Sequence, residues 1–331
     1  MGFMRWLRGR KKGDADKTDS APSLPEQGSE QFEAESQERL ITMPLAKADA
    51  VTIQSIPDTS SLGKEPITLE QDDFGLSVGY VSDVGQLRGH NEDTLLAFQG
   101  VHLGHDASGL FGFFIVTDGM GGHQAGEVAS SLAARFVTHE VLNSVYLPFL
   151  LDATPNADMQ PPTEILRSAV EKASYQVHEH VPGDGGTTLT CALILGRRAF
   201  IAHVGDSRAY LLNGHDMRQL TRDHSFVNRL IELGELSPQE ATVHPQRHVL
   251  YRAVGQREQL EVDTYQQSLP PGSCLLLCSD GLSGVVSDQE MGTIIAAAAT
   301  PQQACQRLAE AANRAGGPDN ITAVLIKTPL D

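Results

Sequence analysis

Three strand-like runs follow one another in residues 186–220 with only turn-sized gaps, and this spacing constrains the fold more than any other feature of the chain. The runs are GTTLTCALIL (186–195), RAFIAHVGD (198–206) and SRAYLLN (207–213). Runs so close together favour antiparallel pairing over a β-α-β alternation. Four more runs of the same kind lie at 76–83, 111–118, 273–280 and 320–327. The chain is therefore expected to form antiparallel sheets.

Helical patterns lie between these groups of strands. Apolar residues recur near 3.6-residue spacing in 125–143 and 163–180, and an alanine-rich pair of helices, broken near Pro301, occupies 288–314. The sequence thus predicts an α+β fold, a four-layer α-β-β-α sandwich of two antiparallel sheets flanked by helices.

Two longer segments interrupt this pattern. Residues 142–163 contain Pro, Asn and Asp and are expected to form a connection between helices. Residues 223–255 form an irregular insert with a predicted short helix at 226–233 and the capping signature SPQEA at 237–241.

The first 73 residues differ from the rest. Residues 13–73 are rich in Ser, Pro, Glu, Gln and Asp and bury too little apolar surface to fold, so a disordered acidic tail is predicted. Residues 1–12 hold five basic residues and interleaved apolar ones, which suggests either weak association with a membrane surface or a frayed terminus. The folded domain is expected to span 74–331.

The net charge, the cysteines and the lengths of the apolar runs disfavour some classes of protein. The formal net charge of −17 disfavours nucleic acid as a partner. The four cysteines lie in apolar stretches, none at C-x-x-C spacing, which favours reduced thiols and a cytoplasmic protein. No apolar run approaches the roughly 20 residues that span a bilayer.

Acidic residues recur at the ends of the predicted strands. They are Glu92, Asp93, Asp118, Asp206, Asp280 and Asp319. Each lies in a cluster with Gly or Asn neighbours, so an ordinary turn is the alternative for any single one. Five such clusters in one domain instead favour a site for a hard cation, Mg²⁺ or Mn²⁺, which takes oxygen ligands. Gly119 would allow its carbonyl to reach the ion.

Eight motifs in order give a specific resemblance over residues 76–328. They are SDVGQLRGHNED (82–93), VTDGMGGHQAGEVAS (116–130), GGTTLT (185–190), HVGDSRAYLL (203–212), LTRDHS (220–225), HPQRHVLYRAVG (244–255), LCSDGL (277–282) and GPDNIT (317–322). Together they resemble the protein phosphatase 2C (PPM) family, the metal-dependent serine/threonine phosphatases, and look most like its bacterial members.

The resemblance implies a ligand set for two ions. Asp118 would bridge them, with Asp280 and Asp319 on the first ion and Glu92, Asp93 and the Gly119 carbonyl on the second. Asp206 is similar to the ligand of a weaker third ion that shares Asp280. The alternative for Asp206 is a structural role in the GDSR turn, pairing with Arg208.

The resemblance also implies the chemistry. A hydroxide held between the two ions would attack phosphorus. Arg88 matches the family's phosphate-binding arginine, since a guanidinium can bind two phosphate oxygens at once. His123 is the candidate general acid for the leaving group. The 223–255 insert corresponds to the flap that borders the cleft in bacterial members.

The expected function is therefore hydrolysis of phosphoserine and phosphothreonine in proteins, opposing a bacterial Ser/Thr kinase and carried out by a monomer. One alternative is a scaffold module that keeps the fold without catalysis, although Asp118, Asp280 and Asp319 are all present. Another is a sporulation-type phosphatase with the same chemistry and a different protein partner.

Overall fold

The structure is a computed structural model that describes residues 75–103, 108–121, 124–150, 160–181, 185–214, 216–241, 243–256 and 260–330. The basic segment 1–12 and the acidic tail 13–73 lie outside these residues, so both interpretations stay predictions. The same is true of the domain boundary at residue 74.

The strands of the described residues form two antiparallel sheets. They are β1 (Ser77–Asp83), β2 (Asp93–Leu103), β3 (Ser108–Met120), β4 (Gly186–Thr187), β5 (Leu189–Leu195), β6 (Arg198–Val204), β7 (Arg208–Asn213), β8 (Asp216–Gln219), β9 (Asp263–Ser268), β10 (Cys274–Cys278) and β11 (Ile321–Lys327). One sheet has the order β1-β11-β10-β7-β8, and the other has the order β2-β3-β5-β6-β9 with β4 beside β3.

The helices lie outside this pair of sheets. They are α1 (Gln124–Val141), α2 (Leu147–Leu150), α3 (Pro162–His180), α4 (Phe226–Glu232), α5 (Pro238–Ala241), α6 (Asp280–Ser283), α7 (Asp288–Ala296) and α8 (Pro301–Arg314). The predicted break before α8 is confirmed, with Pro301 in its first turn and the Thr300 hydroxyl accepting from the Gln303 amide as the N-cap. Among the helices that the structure describes, none combines the length and apolar character needed to cross a bilayer.

Alternation along β3 shows how the layers are held together. Phe113 and Ile115 pack in a cluster with α1 and α3, whereas Phe114 and Val116 pack in a second cluster with residues of the other sheet. A third cluster joins the other sheet to α7 and α8. Helices, sheet, sheet and helices therefore form four layers, which confirms the predicted α+β sandwich.

The sequence analysis missed three strands, and all three are at sheet edges. Strands β2 and β9 are the two ends of one sheet, and β8 is an end of the other. An edge strand is covered on fewer sides, so its residues need not be apolar; β8 reads DMRQ and β9 reads DTYQQS. The buried strands were predicted because both of their faces are apolar.

The predicted connection 142–163 is wrong in its first part. Residues Leu142–Tyr146 form a π-helical turn that continues α1, and α2 follows directly. Tyr146 explains this continuation, because its ring lies 4.8 Å from the ring of Phe98 and 4.6 Å from that of Phe111. Packing of this aromatic cluster outweighs the local turn signals.

The insert 223–255 carries both predicted helices. The Ser225 hydroxyl caps α4 by accepting from the Asn228 amide. At α5, the Ser237 amide and hydroxyl both donate to the Glu240 carboxylate, and the Glu240 amide donates back to the hydroxyl. This is the capping box that the SPQEA motif predicts.

Candidate metal centre

One cleft of about 680 Å³ collects most of the predicted site residues. Strand ends and connecting loops from both sheets meet there. The predicted residues that line it are Arg88, Glu92, Asp118, Gly119, Asp206, Asp280 and Asp319. Asp93 is not among the cleft-lining residues; it is half-buried, and its carboxylate accepts a hydrogen bond from Ser279. His123 lies outside the described residues, so its role as general acid stays a prediction.

Asp93 and Asp118 are paired across two neighbouring strands. They are directly opposite in the register of β2 and β3, which places their side chains on the same face of the sheet. The Ser279 hydroxyl donates to Asp93 Oδ2 at 2.8 Å. The other oxygen, Oδ1, is buried and has no hydrogen-bond partner among the described residues.

The backbone of Asp118 is fixed from three sides. Its amide donates to the Thr188 hydroxyl at 2.9 Å, and its carbonyl accepts from the Thr188 amide and the Thr187 hydroxyl. The next residue must be glycine, because a Cβ at Gly119 would lie 2.2 Å from the carbonyl oxygen of Gly126 at the start of α1. Bare backbone is therefore required where the cleft meets α1.

Burial and mutual repulsion make these carboxylates costly to ionise. Burial raises the pKa of Asp93 to about 7. Burial, with repulsion from Asp93 and Asp280, holds the pKa of Asp118 well above its usual range. The pKa values of Asp206 and Asp280 are also raised by burial and neighbouring carboxylates. The neighbouring protein groups therefore do not balance the negative charge of these carboxylates.

The donor set fits divalent cations. Asp280 Oδ1, like Asp93 Oδ1, is buried without a hydrogen-bond partner in the described part of the chain, and buried polar atoms of this kind need an explanation. Carboxylate and carbonyl oxygens suit Mg²⁺ or Mn²⁺. In the described residues, no group of three His, Cys, Asp or Glu side chains is already arranged as a closed ligand set.

Arg88 lies at the mouth of the cleft and is half-exposed. Its Nη2 donates to Asp319 Oδ2 at 2.7 Å, and this ion pair is the largest cause of the raised pKa of Arg88. The Gly317 carbonyl accepts from the Gln86 and Leu87 amides and so holds the adjoining loop. A guanidinium held at this position can bind an anion that enters the cleft.

Asn320 is a site residue that sequence reasoning missed. Its side chain accepts from the Glu92 amide at 2.8 Å and donates to the carbonyls of Val84 and His90 at 2.9 and 3.0 Å. Because Asn320 directly follows Asp319, these hydrogen bonds connect the loop that carries Arg88 to the segment that carries Asp319. Its position in the GPDNIT motif, directly after a candidate ligand, was the available signal.

The suggested pairing of Asp206 with Arg208 is wrong. Arg208 forms a bidentate ion pair with Asp223 instead, with a shortest distance of 2.7 Å. Asp206 itself is one of the residues that line the cleft. Two cleft residues of the insert, Arg247 and His248, were also not predicted, and His248 Nδ1 lies 3.9 Å from Asp280 Oδ2.

Comparisons with known proteins point to one family. The family model described as "Protein phosphatase 2C" matches residues 81–230. The serine/threonine phosphatase stp of Listeria monocytogenes is 36% identical over 258 residues, which cover 75% of this chain and 94% of that protein. The Streptococcus agalactiae serine/threonine phosphatase is similar in structure, with a TM-score of 0.65, 29% identity, and coverage of 76% of this chain and 99% of that one.

A further similar structure holds metal. The catalytic domain of the phosphatase PstP, solved with two manganese ions, has a TM-score of 0.59 and 33% identity, and the match covers 76% of this chain and 98% of that one. Relatives of this identity and coverage establish the family. The chain belongs to the protein phosphatase 2C family and is a metal-dependent serine/threonine protein phosphatase.

Proposed function

We propose that the cleft carboxylates hold two divalent ions, Mn²⁺ or Mg²⁺, and that a third ion binds beside them. The observation that carries this proposal is the pair of buried oxygens, Asp93 Oδ1 and Asp280 Oδ1, that lack partners in the described residues of an acid-lined cleft. Burial and then repulsion between neighbouring carboxylates raise the pKa values of Asp93, Asp118 and Asp280, and positive charge at this place would offset both effects.

The proposed ligands fall into three sets, one for each ion. Asp118 would bind both ions, Asp280 and Asp319 the first, and Glu92, Asp93 and the Gly119 carbonyl the second. Asp206 would hold the third ion together with Asp280. Bound ions of this kind supply an activated water and neutralise charge on the transferring phosphoryl group.

Arg88 would bind the phosphate of the substrate. The same guanidinium now pairs with Asp319, so an incoming phosphomonoester can exchange for that carboxylate once Asp319 binds an ion. His123 is the proposed proton donor to the serine or threonine leaving group. The insert 223–255 is the proposed flap, since its residues Arg247, His248 and Leu250 line the cleft.

The substrates are phosphorylated proteins, and we propose that they are products of a bacterial Ser/Thr kinase. Similar chains named serine/threonine phosphatases come from bacteria. A cytoplasmic monomer is the proposed form, with residues 74–331 as the catalytic domain. For residues 1–12, weak association with membrane surfaces and a frayed terminus stay the two alternatives. The net charge of −17 supports a partner other than nucleic acid.

Release of phosphate from a phosphothreonine peptide tests the proposal. The full chain is assayed with Mn²⁺, with EDTA, and as the variants Asp118→Asn and Asp216→Asn. Asp216 is exposed on the edge strand β8 and serves as the matched control. We expect EDTA and Asp118→Asn each to remove nearly all turnover and Asp216→Asn to leave it unchanged. Full turnover in Asp118→Asn would overturn the proposed role of Asp118 in binding both ions, and absence of turnover in the Mn²⁺-loaded wild type would favour the scaffold alternative.

A further inference from the structure

His224 makes two hydrogen bonds to one residue, Gly205. The His224 amide donates to the Gly205 carbonyl at 2.7 Å, and the Gly205 amide donates to His224 Nδ1 at 3.1 Å. The side chain of His224 is 1% exposed. Both polar groups of Gly205 are therefore held by a single buried residue of the LTRDHS segment.

The hydrogen-bond partners of the ring fix its orientation. A backbone amide can only donate, so Nδ1 is the acceptor in its contact with Gly205. Nε2 lies 3.2 Å from Arg252 Nη1 and 3.4 Å from Asp263 Oδ2. Asp263 is itself held, because Arg252 Nη1 donates to its Oδ1 at 3.0 Å and the Tyr265 hydroxyl donates to its Oδ2 at 3.1 Å. The imidazole is thus clamped between Gly205 and β9.

Gly205 immediately precedes Asp206 and cannot be fixed by a side chain of its own. Its φ of +107° lies in the region that favours glycine, and a Cβ there would meet Thr188 at 2.6 Å. On the far side of Asp206, the Ser207 hydroxyl lies 2.8 Å from the Thr188 hydroxyl. The direction of the Asp206 carboxylate therefore depends on contacts to its two neighbours.

We infer that His224 is a positioning residue that holds the turn 205–207 so that Asp206 can bind the third ion. The inference rests on the proposed assignment of Asp206 to that ion. His224 itself does not line the cleft; it acts through Gly205. The hydrogen bond from the His224 backbone amide to the Gly205 carbonyl remains when the side chain is substituted. A side-chain variant therefore tests only the contacts that the ring makes.

Three substitutions separate the two ring contacts. His224→Asn keeps an acceptor near the position of Nδ1, His224→Gln keeps a polar group near the position of Nε2, and His224→Ala keeps neither. Asp206→Asn identifies the ion that depends on Asp206. Val170→Ala, a change on the buried face of α3, is the control for a general loss of stability.

Each full-length variant is titrated with Mn²⁺ by calorimetry, and amide hydrogen exchange of residues 205–207 is measured without metal. We expect His224→Ala to weaken the Asp206-dependent ion by about tenfold, the loss expected for one hydrogen bond of about 1.4 kcal/mol, and to accelerate exchange in the turn. The two tighter ions should be unaffected. His224→Asn should restore both properties, and His224→Gln should not.

The remaining outcomes contradict the inference in distinguishable ways. If Asp206→Asn removes an ion that His224→Ala binds as tightly as the wild type does, the positioning role is wrong and the metal assignment stands. If Val170→Ala weakens that ion as much as His224→Ala, the loss follows stability and the inference is also wrong. If Asp206→Asn removes no ion, the proposed third site is wrong and the inference falls with it.

Discussion

Asp93 and Asp118 face each other across the antiparallel register of β2 and β3, and directly opposed side chains lie about 4.5–5.5 Å apart on one face of a sheet. Asp280 and Asp319 add further negative charge next to this pair. Two like charges directly opposite each other destabilise a sheet. Cations bound at this place would therefore be expected to stabilise the fold.

The Asp93 carboxylate is expected to make the metal-free protein less stable as the pH rises. Burial raises its folded-state pKa to about 7 from 3.8, so between these values the folded state binds more protons than the unfolded state. The free energy of unfolding then falls with increasing pH across this window. In EDTA, Asp93→Asn should show a higher Tm than the wild type at pH 7, and the difference should shrink towards pH 4.

Metal should reverse that order. An ion that binds only the folded state stabilises it by about 2.7 kcal/mol at a hundredfold excess over its Kd. Mn²⁺ should therefore raise the Tm of the wild type more than that of Asp93→Asn, while Asp216→Asn should follow the wild type. Equal Mn²⁺-induced shifts in the wild type and Asp93→Asn would show that Asp93 does not contribute to metal binding.

Arg88→Ala is expected to act mainly on substrate binding. Loss of a hydrogen bond to a charged group costs about 1.5–3 kcal/mol, so KM for a phosphothreonine peptide should rise by about 10- to 100-fold. Arg88→Lys should recover part of the loss, since an ammonium supplies charge without the bidentate geometry. Steady-state kinetics measures the effect, with the exposed Arg307→Ala as control. Unchanged KM and kcat in Arg88→Ala would remove Arg88 from the site.

Asn320 variants should show that one amide organises the loop that carries Arg88. Asn320→Ala removes three part-buried hydrogen bonds, to the Glu92 amide and to the Val84 and His90 carbonyls, and each hydrogen bond contributes about 0.5–1.5 kcal/mol. We expect a loss of at least about 2 kcal/mol in urea denaturation together with a raised KM. Asn313→Ala, which removes a contact to Gln86 and one to Asp83, should cost less than Asn320→Ala. Equal stability of Asn320→Ala and the wild type would contradict this role.

The sequence was sufficient to predict the layers, and most of the site residues predicted from it line the cleft. Strands such as β5 and β10 are apolar on both faces because both faces are buried, so their residues show the pattern without any tertiary information. Asp118, Asp206 and Asp280 follow or end such strands. Their meeting at one cleft was expected from the resemblance to the family, whose motifs appear in the same order.

The features that the sequence could not reveal depend on partners far away along the chain. Asp93 is fixed by Ser279, 186 residues later, and Arg208 chooses Asp223 over the nearer Asp206 because the β7–β8 hairpin and the loop after it bring Asp223 back. The edge strands β8 and β9 carry too few apolar residues to stand out. Tertiary packing determines these partners and edge strands, so they cannot be predicted from the local spacing of residues.

A crystal of the full chain soaked in MnCl₂, with data collected at the manganese absorption edge, tests the central claim most directly. Two strong anomalous peaks should lie on either side of Asp118, one in contact with Asp280 and Asp319 and the other near Asp93 and the Gly119 carbonyl. A weaker third peak should lie beside Asp206. No anomalous peak among these carboxylates at saturating manganese would contradict the proposed metal centre.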